Sequence, residues 1–124
     1  MDTTGSHTKV ALVKAKNHRE GIRQSIDLIG INPVQGKKVV LKPNFNTADP
    51  YPGSTHPETL RELISYLQEI RALKITIGER SGPVGERSGP VKTAEVIESL
   101  GAHQIAEELG AELVNPAATG KTDF

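Results

Sequence analysis

The sequence predicts a soluble α/β domain of three layers, with a mostly parallel sheet covered by helices on both faces. Short β-branched runs alternate along it with segments whose apolar residues recur at helical spacing. That alternation favours parallel strands joined by helical crossovers. At 124 residues, the chain suits one domain with a modest core.

The elements follow in order. Val10, Ala11, Leu12 and Val13 form an apolar run suited to a buried strand. Over residues 20–29, Ile22, Ile26 and Ile29 share one helical face, and Gly30 with Asn32-Pro33 ends that helix. Val39-Val40-Leu41 is the clearest strand. Thr55 reads as the cap of the next helix, with Pro57 in its first turn and Glu58 at the capping-box position. Leu60, Leu63, Ile64, Leu67 and Ile70 then face the sheet. Leu73 and Ile75-Thr76-Ile77 supply a third strand. Helices are expected over 92–100 and 102–109, the latter carrying Ile105, Ala106 and Leu109, and a short strand over 111–114.

After the third strand, Gly78-Glu79-Arg80-Ser81-Gly82-Pro83-Val84 is repeated unchanged as residues 85–91. Two Gly and one Pro in each copy oppose a helix, so the repeat reads as a duplicated surface loop. Residues 1–8 are polar and read as a flexible leader. Residues 9–115 form the α/β unit, and 116–124 a polar tail or truncated continuation.

Composition narrows the function. The chain has no cysteine, which excludes disulfides, thiolate catalysis and any iron–sulfur cluster ligated by its own cysteines. It also agrees with a reducing, cytoplasmic setting. No apolar run approaches the about 20 residues that span a bilayer, so no membrane role is expected. Two Tyr, two Phe and no Trp, without a dense basic stripe, argue against nucleic-acid binding. The net charge is zero but uneven. Residues 1–50 carry eight Lys/Arg against four Asp/Glu, and the remainder seven against eleven. Such an imbalance can attract an anionic ligand, though it also fits two ordinary solvated surfaces.

In sheets of this type, ligands gather beyond the carboxyl ends of strands. Two polar segments hold that position. In the first, Lys42 offers a mobile ammonium, and Pro43 favours an extended chain. Asn44 and Asn46 can both donate and accept hydrogen bonds. His56, at the start of the following helix, can face the same cleft as a donor, proton shuttle or ligand. In the second segment, Glu79 can accept a proton or bind a cation, and Ser81 can bind an oxygen-rich group. The bland alternatives are a solvated Lys42, a turn-forming Asn44, a His56 serving helix initiation and a flexible loop at 78–90. His18 and His103 lack partners in the pattern and read as surface or packing residues. Gly78, Gly82 and Gly85 miss the dinucleotide spacing. Gly120-Lys121-Thr122 lacks the first glycine of a phosphate-binding loop, because Asn115 stands there.

The ordered run of these segments resembles the domain-of-unknown-function family numbered 362. The features are residues 10–13, Val39-Val40-Leu41-Lys42-Pro43-Asn44, Thr55-His56-Pro57, residues 75–82, Thr93-Ala94-Glu95-Val96 and Ala111-Glu112-Leu113-Val114. The resemblance covers about residues 9–115. It implies that Lys42, Asn44, His56 and the first glycine-rich loop belong to a recurrent polar core. It also implies a longer parent and an association with iron–sulfur proteins, so this chain reads as the N-terminal part of an incomplete domain. No metal site is expected, and the cofactor is unknown.

The function expected is binding of a small anion or cofactor, as a portion of a larger, redox-linked enzyme. The alternative is a non-catalytic interaction or structural domain whose open edges self-associate or pair with another chain. A truncated fragment without independent activity is the third reading.

Overall fold

A computed structural model describes residues 5–45, 49–78, 95 and 97–114. Helix α1 spans His18–Ile29. It starts before the apolar stripe because Asn17 Oδ1 accepts the Glu20 amide at 2.8 Å. Gly30 ends it at φ 71, a left-handed conformation that glycine adopts without a Cβ clash. Strand β1 spans Lys38–Leu41, helix α2 Pro57–Glu69, and strand β2 Lys74–Gly78. Residues 97–99 are helical, and helix α3 spans Ala102–Leu109 before strand β3, Glu112–Val114.

The three strands form one parallel sheet in the order β1-β2-β3. Register aligns Val39 with Ile75 and Leu41 with Ile77, then Ile77 with Leu113. Alternation therefore puts all five side chains on one face, where they join the core. Ile64, Leu60 and Leu67 of α2 pack there with Ile105 and Ala106 of α3, and with Ile97, Leu100 and Phe45. Leu63 and Ile70 complete the helical stripe as partly buried neighbours. The α/β class, the parallel sheet and its flanking helices are those expected from the sequence. No helix among the described residues is long and apolar enough to cross a membrane.

Helix α2 has a second packing face, turned to α1. Arg23 holds Glu69 through two hydrogen bonds of 2.7 Å and also pairs with Glu62, which Arg19 approaches at 3.4 Å. Tyr66 donates to Asp27 across the same seam. Glu62 is buried, so its two arginine partners offset the cost of removing that carboxylate from water. The hydrogen bonds from Arg23 hold the Glu69 carboxyl below its ordinary value of 4.5. Arg61 does the same for Glu108, and Lys74 for Glu112.

Three expectations change. Residues 10–13 do not form a strand: no hydrogen bond among the described residues pairs them with the sheet, and Val10 and Leu12 stand exposed. An apolar run needs a neighbouring edge before it becomes a strand, and none among the described residues meets it. Thr55 is not the cap of α2. His56 is, its Nδ1 accepting the Glu58 amide at 3.1 Å, while the Thr55 hydroxyl is engaged elsewhere. Leu73 lies just before β2 and is exposed. The duplicated loop from Glu79 on, residues 92–94 and 96 of the helix expected over 92–100, the leader up to Thr4 and the tail from Asn115 lie outside the described residues.

Ile77 is fully enclosed, so Ile77→Ala should cost about 3 kcal/mol of unfolding free energy in a urea titration, through lost burial and the cavity left behind. The ion pairs predict an acid limb. Groups with depressed folded values stabilise fully above the ordinary 4.5, and that contribution disappears as pH falls through the folded values. Melting temperatures should therefore fall below pH 4.5, and the deficit of Glu69→Gln at neutral pH should shrink there.

Candidate functional site

Beyond β1 the chain alternates: Lys42 and Asn44 are exposed, while Pro43 and Phe45 are buried. Phe45 anchors this strand end in the core. Asn44 is then fastened to the start of α2 by reciprocal bonds. Its amide donates to Thr55 Oγ1 at 2.8 Å, and its carbonyl accepts the Thr55 amide at 2.9 Å. The Asn44 side chain also reaches the Gly53 carbonyl at 3.5 Å. A loop is thereby closed against the strand end, with a cis bond between Tyr51 and Pro52.

The closed loop sets three rings together. His18, first residue of α1, stacks on His56, the residue before α2, at 4.2 Å between centroids and 13° between planes. Tyr51 meets both edge-on, at 5.2 and 5.3 Å. His18 Nδ1 lies 3.1 Å from the Thr59 hydroxyl. Because His56 Nδ1 accepts from Glu58, its Nε2 is the ring's donor. Around these rings is an open cleft of about 400 Å³, walled also by Asn44, Ser54, Thr55 and Thr59.

Two helices thus begin at one cleft, each carrying about half a positive elementary charge at that end. The first-turn amide of Glu58 is already taken by His56, and Pro57 has none to offer. A ligand here would therefore be held by ring N–H groups, hydroxyls and the Asn44 side-chain carboxamide, and drawn by the dipoles. A neighbouring cleft between the helices is lined by Arg19, Arg61, Glu58 and Glu62. Its cations are committed to ion pairs with Glu62 and Glu108.

Of the residues singled out from sequence, Asn44 and His56 line the cleft, and Lys42 lies on the same exposed side of the strand end as Asn44. Asn46, Glu79 and Ser81 lie outside the described residues. His103 is exposed on α3. His18 is the residue that sequence reasoning missed. The available signal was Asn17, a strong cap residue, which would have placed His18 at a helix start like His56. Among the described residues, no group of three or more His, Cys, Asp or Glu side chains could hold a metal ion. Without cysteine, the chain ligates no iron–sulfur cluster through thiolates.

Residues 39–123 match the family model described as Domain of unknown function (DUF362). The chain belongs to the DUF362 family. The match takes in β1, the strand end, α2, β2, α3 and β3, and it begins after the 10–13 run and α1. No curated protein and no solved structure matches the chain.

The Asn44–Thr55 clamp should be separable from the core. Thr55→Val keeps the side-chain shape but removes the acceptor, and should cost about 1 kcal/mol in chemical denaturation. The amide resonances of Asn44 and of the 49–55 loop should broaden or shift, while those of Ile75 and Ile77 stay in place.

Proposed function

We propose that the His18–His56 cleft binds a small, oxygen-rich anion as the ligand-holding portion of a larger, redox-linked enzyme. The observation that carries this reading is the convergence of two helix starts, each bearing a histidine, on the strand end that holds Asn44. Helix starts favour anions, and the walls supply ring and hydroxyl donors suited to phosphate or carboxylate oxygens.

In this proposal Asn44, His18 and His56 orient the ligand, and Lys42 supplies charge from the adjoining strand. The proposal also includes Glu79 and Ser81, which follow β2 in the sequence, and the side-by-side ends of β1 and β2 support including them. Asn46 adds a polar group to the same loop. The redox link is inherited from the resemblance to iron–sulfur-associated proteins, with any cluster held by residues of another polypeptide or another part of the parent. Within that reading, residues 9–115 are the α/β unit that carries the ligand site of a cytoplasmic protein.

Inorganic phosphate titrated into the labelled protein should shift the ring resonances of His18 and His56 together, with weakening at higher salt. The double variant His18→Gln, His56→Asn removes both rings, and asparagine preserves a helix cap. It should bind phosphate about 10-fold more weakly. Unmoved ring resonances, or equal affinity in the double variant, would sink the proposal.

A further inference from the structure

The 10–13 run raises a question that the cleft does not answer. Its apolar residues occupy both sides of an extended chain, a pattern suited to a strand covered on two faces. Ala11 and Val13 are half-buried, yet Val10 is 85% and Leu12 92% exposed. No hydrogen bond among the described residues pairs the backbone of residues 5–16 with another strand.

The segment is nevertheless seated. A Cβ on Gly21 would come within 2.8 Å of the Ala15 Cβ, so glycine inside α1 is what lets the chain lie against that helix. A groove of about 590 Å³ continues from its end, lined by Ala15, Lys16, Gly21, Ile22 and Ser25. One face of the segment thus rests on the protein, and the other is bare.

Charge indicates what fits. Lys9, Lys14 and Lys16 flank the run, and no acidic residue occurs between Gly5 and Arg19. Strand β1, an edge of the sheet among the described residues, begins with Lys38 and is flanked by Lys37 and Lys42. Pairing of this segment with its counterpart in a second copy, or with that copy's β1, would crowd lysines on adjacent strands, with no carboxylate in the segment to offset them. Like charges directly opposed across strands are destabilising.

We propose that residues 9–15 are a docking strand for an extended, apolar segment of another polypeptide with acidic residues at its ends. The partner's backbone pairs with N–H and C=O groups of this segment that bond to no other strand among the described residues, a strand-addition mode of recognition. Its apolar side chains cover Val10 and Leu12, and its carboxylates meet Lys9, Lys14 and Lys16.

The test uses a labelled valine/threonine peptide with glutamate flanks, and the same peptide with lysine flanks, followed by fluorescence anisotropy. The glutamate peptide should bind, more weakly at higher salt, and the lysine peptide should not. Leu12→Lys should weaken binding about 10-fold or more. Its melting temperature should not change, since the side chain has no packing to lose. Lys14→Glu should transfer preference toward the lysine peptide, a readout that general destabilisation would not produce. Equal binding of the two peptides, failure of both, or indifference to Leu12→Lys overturns the proposal. So does a concentration-dependent dimer, seen by sedimentation, that Leu12→Lys abolishes, because the occupant would then be a second copy.

Discussion

The full burial of Ile77 of the central strand and Ile64 of α2 in one apolar cluster is the constraint on which the remaining structure hangs. Neither residue is exposed, and both belong to the cluster that also holds Phe45. Burial of this kind is the dominant favourable term in folding, and close packing makes it sensitive to position. Through Phe45 it fixes the chain leaving β1. Through α2 it fixes the residue at which that helix begins. The cleft lies between those two fixed points, and the Asn44–Thr55 bonds close its loop against the strand end.

The other wall depends on a different interaction. Helix α1 contributes no buried residue, and its half-buried isoleucines do not join the core cluster. It is held to α2 by the Arg23–Glu62–Glu69 ion pairs and by Tyr66 with Asp27. Exposed pairs contribute little individually, but one arginine that grips the exposed Glu69 with two prongs and also meets the buried Glu62 is geometrically demanding. The stacking of His18 on His56 is therefore set by electrostatics along the helix seam, while His56 itself is set by hydrophobic burial. The two halves of one ring pair rest on unlike forces.

That division explains what could be read from the sequence. The periodic apolar residues of α2 and the β-branched runs of β1 and β2 announced themselves, because burial against a sheet writes a local pattern. Asn44 and His56 were legible as a strand end and a helix start. His18 was not, because its partner is 38 positions away and depends on an ion-pair seam without sequence periodicity. The same holds for Glu62 and Tyr66, which sit on a second buried face of α2 beside its apolar stripe. The 10–13 run failed in the opposite sense: its local pattern is that of a strand, but a strand is defined by its neighbour.

The exchange of roles between Thr55 and His56 links the two polar motifs. Spacing made Thr55 the natural cap, with Glu58 three residues on, and that is the arrangement an isolated peptide would favour. In the fold, the Thr55 hydroxyl accepts from the Asn44 amide, so the first turn of α2 needs another acceptor and takes it from the His56 ring. One nitrogen of that ring is thereby fixed on the backbone, and the other is left to act as a donor. The Lys-Pro-Asn strand end and the Thr-His-Pro helix start are thus a single mechanical unit. Fastening the loop is what orients the histidine, and an anion-binding role for the cleft would draw on that orientation already made.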